Sequence, residues 1–387
     1  MNKYLWILLT TLLLASCSAS DADEQAGGSA AAGVISYTVT ADNATRGVIA
    51  DTQEFLTDGR QFRVWSFMQK NGTGDWTPMT SDYNTTALQA VDVTYVAWRN
   101  EWISYAADGT TRETYYWPRP EYKVNFYAVY PNKNYFNTTN KTLDYTVPAN
   151  QTDVDLMYAT AQGQRDGTEK PNERKGVALN FHHALTQVSF YGKLSALLAS
   201  FGWTVNINGI TLCNIYSKGS LTPVPEKDGT VTEQPTQFIN LEMPADYALA
   251  MNPSRQSLTT STDEITLTSE EDVTMLLPQT LTAWKINTEN TGSEKPVTTG
   301  SYLAVKMNIR DSKGYILGSE TADVTVFAPF DCGVSGGWES GKHYRYSLLI
   351  NGGYDALGKP VVKDLEITAA ITPWTTKNVV VDDDIKR

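Results

Sequence analysis

A chain of 387 residues is long enough for two hydrophobic cores of ordinary size plus tails. Its 21 Tyr and 10 Trp, with Thr and Val abundant and long Ala/Leu/Glu/Lys windows nearly absent, predict an all-β protein. The formal net charge of −12 argues against nucleic acid and anionic lipid headgroups as partners, because the long-range field repels phosphate.

Residues 1–17 read as a targeting segment outside the fold. Lys3 supplies a positive start, and the apolar run Leu5 to Leu14 is too short to span a bilayer comfortably. Leu14-Ala15-Ser16-Cys17 resembles a bacterial lipobox: small residues admit a peptidase, and the Cys17 thiol takes the diacylglycerol. Cys17 is therefore predicted to be lipidated, with several acyl chains at about 0.8 kcal/mol per buried methylene holding the mature terminus in a membrane. Residues 18–33 are Ala, Ser, Gly and acid, with too little apolar surface to fold, and predict a flexible tether. The acidic cluster Asp21, Asp23, Glu24 resembles a surface-export signal of such lipoproteins.

Val34 to Thr40 is a strand candidate, and Arg46-Gly47 follows as a loop arginine before a turn glycine. Phe62–Met68 alternates, and Trp98–Tyr105 comes after a Thr-rich loop. Tyr115-Tyr-Trp-Pro118 precedes Tyr122–Tyr130, which Pro131 ends because proline lacks a donor. Asp153-Val-Asp-Leu-Met-Tyr-Ala159 and Val177-Ala-Leu-Asn-Phe-His-His-Ala-Leu-Thr-Gln-Val-Ser-Phe-Tyr191 read as strands flanking a charged, solvated connection, 164–175. Leu194–Phe201 predicts a short helical turn, and Trp203–Leu212 a strand pair. Residues 222–264 are loop-rich. Val273–Leu281, Tyr302–Ile309, Trp338–Ile350 and Leu365–Trp374 predict further strands.

Candidates for chemistry are few. His182 and His183 are adjacent, so on a strand they point to opposite faces, which disfavours chelation; a backbone partner is the expectation for a strand histidine. Gly333-Val-Ser-Gly-Gly337 matches a nucleophile pattern, but no strand precedes it and no helix follows, so it is rejected. The carboxylate runs Glu270-Glu-Asp272 and Asp382-Asp-Asp384 lack the spacing of a calcium loop. No phosphate loop, cofactor fingerprint or metal set is predicted. Cys213 and Cys332 could form one disulfide outside the cytoplasm or be small buried residues on separate strands; the second is slightly favoured.

The phrase Asp-Leu-Met-Tyr-Ala, a polar break and Val-x-Leu-x-Phe-x-His-Ala-Leu-x-x-Val resembles the fimbrillin family, lipoprotein type V pilins of Gram-negative anaerobes. Aromatic-Trp-Pro with Val-Asn-Phe-Tyr-Ala-Val-Tyr-Pro131, Leu-Leu-Pro-Gln-Thr-Leu281 and the last two strand phrases extend the resemblance from Tyr37 to Trp374. It implies two tandem transthyretin-like β-sandwich domains, here 47–165 and 176–387, after an N-terminal strand and propeptide, 34–46. It further implies a trypsin-like maturation protease cutting at Arg46–Gly47, removal of the first strand, and polymerisation with other fimbrial subunits by strand exchange at the outer-membrane surface, with a role in adhesion and not catalysis. In the family the exchanged strand is C-terminal. Here Val379, Val380 and Val381 form a short β-prone run that Asp382-Asp-Asp384 follows, a departure that leaves an anchor or tip subunit as an alternative. From another class, a surface glycan-binding lipoprotein requires coplanar exposed aromatics; Trp65, Trp117 and Trp284 in the cores would count against it. A secreted hydrolase lacks a recognisable acid–base pair.

Overall fold

The computed structural model describes residues 33–41, 52–84, 86–106, 108–149, 155–165, 176–227, 233–254, 257–269, 272–285, 300–354 and 360–373, the backbone alone from 353 onward. Cys17, Arg46, Gly47 and Val379 to Val381 lie outside the described residues.

In chain order the strands of the first half are β1 (Tyr37–Ala41), β2 (Gln61–Lys70), β3 (Thr77–Pro78), β4 (Val91–Val96), β5 (Glu101–Tyr105), β6 (Tyr122–Tyr130), β7 (Phe136–Asn137), β8 (Thr142–Thr146), β9 (Met157–Gln164) and β10 (Val177–His183). The second half adds β11 (Thr186–Leu194), β12 (Thr204–Leu221), β13 (Ile239–Ala248), β14 (Ser257–Leu258), β15 (Ile265–Thr266) and β16 (Thr274–Leu276). It ends with β17 (Tyr302–Asp311), β18 (Gly314–Leu317), β19 (Val324–Pro329), β20 (Lys342–Tyr354) and β21 (Pro360–Pro373). Among the described residues two helical turns interrupt them, α1 (Thr52–Phe55) and α2 (Ala196–Ser200). The Ser195 hydroxyl caps α2 by accepting the Leu198 N–H, which stops Leu194 from continuing the strand.

The first sheet runs β1-β10-β9-β6-β2-β4-β5. Both of its faces are buried, and the two-residue period shows why. On β6, Val124, Phe126 and Ala128 enter one core, while Tyr127 and Val129 enter another. On β2, Phe62 and Val64 share the first core, and Trp65 and Phe67 the second. β10 belongs here, paired with β9 through His182↔Tyr158 and His183↔Met157. The strand expected to open the second domain thus lies within the first sheet, between β1 and β9, and the link between 165 and 176 joins neighbouring strands of one sheet.

β11, β15, β16, β20 and β21 form a second sheet, and a third is built on β12. β12 was expected as a strand pair ending near Leu212. It is one strand of 18 residues, and the chain absorbs Asn208-Gly209 as a register shift opposite β17. Its last residues pair with β8, Leu221 against Leu143, so a first-half hairpin is hydrogen-bonded into the second-half sheet. One large core results, joining Trp65, Phe67 and Tyr127 to Phe190, Leu212, Val305 and Tyr346.

The Leu-Leu-Pro-Gln-Thr-Leu phrase, expected as strand, leaves the ladder after Leu276 at Pro278. Its buried Gln279 acts as a surrogate backbone. Oε1 accepts the Tyr216 N–H at 3.1 Å, while Nε2 donates to the Tyr216 carbonyl at 2.9 Å. Among the described residues no helix is long and apolar enough to cross a membrane.

Candidate functional site

The site is the N-terminal edge strand and what holds it. β1 lies parallel to β10, in register from Tyr37↔Val177 to Ala41↔Phe181, and the Val177 N–H donates to the Ser36 carbonyl at 2.7 Å. Ile35, Tyr37, Val39 and Ala41 alternate into the first core, and the Tyr37 ring meets Phe62 edge-on at 6.0 Å. Burial raises the Tyr37 hydroxyl far above its ordinary pKa, so it stays neutral at any physiological pH. Gly176 lets the strands approach: it sits at φ +78°, and a Cβ there would be 3.2 Å from the Ser36 carbonyl oxygen.

Both ends of the segment are fastened. Below, the Ile35 N–H donates to the Tyr115 carbonyl at 2.8 Å, and the Trp117 N–H to the Gly33 carbonyl at 3.0 Å. Above, the Thr52 hydroxyl accepts the Ala41 N–H at 3.0 Å and donates to the Ala41 carbonyl at 3.4 Å. Ala41 and Thr52 thus form a neck of described residues, and Arg46 and Gly47 fall between them in sequence. Immediately after the neck, α1 buries Phe55 completely against Phe181, with ring centroids 4.6 Å apart. The chain from Thr52 onward is thus anchored to β10 as well as to β1. No periodic pattern marked Thr52 or Phe55, because the run from 47 to 60 has no alternation; only the isolated Phe hinted at an anchor.

The remaining candidates are scattered. His182 Nε2 lies 3.0 Å from Glu226 Oε1, and His183 Nδ1 lies 2.9 Å from Asp155 Oδ1. Their partners are carboxylates, where a backbone partner was expected, since each faces an acid from a different segment. Among the described residues no group of three or more His, Cys, Asp or Glu could hold a metal ion. Gly333–Gly337 is a loop between β19 and β20 with neither strand nor helix of its own. The Asp272 N–H donates to the Ser269 hydroxyl at 2.9 Å, while Glu270, Glu271 and Asp382 to Asp384 lie outside the described residues. Cys213 and Cys332 are both buried with no disulfide between them, and burial pushes the Cys332 thiol up to about 11.

Trp65, Trp117 and Trp284 are all buried, the outcome that counts against a glycan platform. Trp98 is 77% exposed at the β4–β5 turn, but the Arg99 guanidinium lies 4.3 Å from its ring centroid, and among the described residues no coplanar partner ring accompanies it.

The fimbrillin-like family model matches residues 45–374. The chain belongs to the fimbrillin-like family. Among solved structures, this fimbrillin-like chain is similar to a fimbrial protein from Bacteroides vulgatus at 14% identity and a TM-score of 0.49, over 89% of this chain and 100% of that one. It is similar to a putative cell adhesion protein from Bacteroides ovatus at 16% identity and a TM-score of 0.43, over 88% and 98%. The tip fimbrial protein Mfa3 from Porphyromonas gingivalis, with a C-terminal truncation, matches at 10% identity and a TM-score of 0.36, over 87% and 99%. No curated protein matches the chain.

Proposed function

We propose that this fimbrillin-like chain is a structural subunit of a cell-surface fimbria, held at the outer membrane through lipidated Cys17 and assembled by strand exchange. A trypsin-like protease cuts between Arg46 and Gly47, residues 34–46 leave, and the exposed edge of β10 accepts a strand from another subunit. Adhesion follows from assembly, and no catalytic step is involved. One observation carries this: β1 is an edge strand that, with Ile35 just before it, places four side chains in the core, and Arg46 follows it in sequence between the fastened residues Ala41 and Thr52. Its removal opens an apolar groove beside unpaired N–H and C=O groups, which only another extended chain satisfies in full.

Digestion of the purified lipoprotein with a trypsin-like protease is expected to give a new N-terminus at Gly47 and a ladder of higher-order species on gels. Arg46→Ala is expected to stay monomeric. Normal polymerisation of Arg46→Ala would overturn the maturation step.

A further inference from the structure

The adjacent histidines His182 and His183 stand at the end of β10, where that strand meets the rest of its sheet. Among the described residues the ladder from β10 to β9 covers only His182↔Tyr158 and His183↔Met157, while Val177 to Phe181 are paired with β1. The edge of β9 that β10 would need next is taken. β6 covers the whole of the other edge, and from Thr160 onward Val224 to Lys227 lie along this one. The Thr160 hydroxyl donates to the Val224 carbonyl at 2.7 Å and accepts the Glu226 N–H at 3.3 Å, and the Gln162 N–H donates to the Glu226 carbonyl at 2.6 Å. One edge admits one partner, so β9 and β10 fork beyond Tyr158.

The segment in the fork belongs to the second half of the chain. It follows β12 directly after Leu221 pairs with Leu143. Gln234 holds it too, its Oε1 accepting the Val224 N–H at 3.0 Å and its Nε2 donating to the Val224 carbonyl at 2.8 Å. Successive strand residues point to opposite faces, so the two histidines reach different partners. His183 turns to the face of Met157, and its Nδ1 lies 2.9 Å from Asp155 Oδ1 with both side chains fully buried. His182 turns to the face of Tyr158, whose ring centroid is 5.9 Å away, and its Nε2 lies 3.0 Å from Glu226 Oε1 in the fork. One pin is thus set on each face of the strand, the first from chain just before β9 and the second from the second half.

We propose that His182 and Glu226 form a positioning clamp that keeps β10 in line when β1 is absent. The proposal rests on the strand-exchange reading above and adds what holds the accepting edge. While β1 is present, five residue pairs fix Val177 to Phe181. Without them the strand keeps its buried side chains, Val177, Leu179 and Phe181, and the two pairs with β9. Apolar burial is non-directional and tolerates a shift of the backbone, whereas an arriving strand needs N–H and C=O groups at fixed spacing. A hydrogen bond to a carboxylate is directional and among the stronger ones. This one sits where the ladder to β9 stops, and its side chains are only 16% and 10% exposed, so water competes weakly for them. A strand already held in place accepts its partner more readily than one that must first be ordered.

The test follows the full chain before and after cutting at Arg46 with a trypsin-like protease. Before the cut, His182→Ala is expected to exchange amide hydrogens at residues 177–181 like the parent chain, because β1 still covers them. After the cut, its polymer is expected to form about tenfold more slowly, the scale of one charge-assisted hydrogen bond, with faster exchange at Tyr158, His182 and His183. His182→Gln, whose side-chain N–H can reach the same acceptor, is expected to restore the rate. Glu226→Ala is expected to match His182→Ala, and the double variant to be no slower than either single one. Polymerisation of cut His182→Ala at the parental rate would overturn the clamp. So would equal loss of protection before and after the cut, or failure of His182→Gln to improve on His182→Ala, either of which marks a general structural role. If the cut parent chain forms no polymer while His182→Ala still opens β10 only after the cut, the clamp stands and the exchange reading falls.

Discussion

Among the described strands two pairings are parallel, β1 with β10 and β11 with β20, and they are held very differently. β20 lies between β11 and β21, its ladder with β11 runs over eight residue pairs, and Tyr344, Tyr346, Leu348 and Ile350 enter the large core. There the Tyr346 hydroxyl accepts the Trp338 Nε1–H at 2.7 Å and donates to the Cys332 carbonyl at 2.9 Å. β1 has five pairs, one neighbour in the sheet and a fastening at each end made of two hydrogen bonds. Both strands bury alternate side chains. The difference lies in what else must move when each leaves: most of the molecule for β20, only residues 33–41 for β1.

The largest effect that would break this contrast comes from matched truncations. Leu348→Ala is expected to destabilise the whole fold by about 2–5 kcal/mol in denaturant unfolding, as for other fully buried leucines. Val39→Ala is expected to weaken only the docking of β1, by about 1–2 kcal/mol for the methyl groups withdrawn. Hydrogen exchange should show faster opening at residues 33–41 and at Val177, with no change at β20. A global destabilisation by Val39→Ala would show that β1 is not a separable unit.

A smaller change sharpens the view of the neck. Thr52→Val removes the hydroxyl that binds both backbone groups of Ala41 and is expected to cost about 1 kcal/mol locally. Cutting at Arg46 should become faster while the melting temperature of the body holds. The smallest effect falls on the second sheet. Glu264 is held below its ordinary value of 4.5 chiefly by the Ser347 hydroxyl at 2.6 Å, with Arg345 and Lys193 also favouring the carboxylate. A lowered folded-state pKa stabilises the fold above the unfolded-state value and loses that contribution as pH falls through the folded one. Glu264→Gln is therefore expected to cost about 0.5 kcal/mol at pH 7, a partly exposed pair's share, and nothing once both states are protonated.

Much of the fold was legible because alternation and proline punctuation act locally. β2, β6, β10, β11 and β17 lie within a few residues of their expected bounds, and α2 is where a short helical turn was expected. β4 was hidden by its Thr-rich approach, although Val91, Val93 and Tyr95 alternate inward. β13 was hidden for a different reason: it is exposed along almost all its length, and two register shifts opposite β12 erase any period. The unity of the large core was not legible, because it depends on β12 running through Asn208-Gly209 to reach β8, a long-range pairing that no local pattern encodes. At the site, β1 was evident from Val34 to Thr40. Thr52, Phe55 and Gly176 act only through tertiary contacts with Ala41, Phe181 and Ser36, so nothing in their own neighbourhoods distinguished them.

The central claim is that β10 loses one neighbour on maturation and gains another from a second copy. The direct measurement is hydrogen exchange at the Val177 amide, which β1 protects through the Ser36 carbonyl, followed through cleavage at Arg46 and then polymerisation. The account predicts protection in the uncut chain, loss when residues 34–46 are removed, and recovery in the polymer, with β20 protected throughout. A polymer in which Val177 stays unprotected, or a cut chain in which β20 opens together with β10, would contradict it.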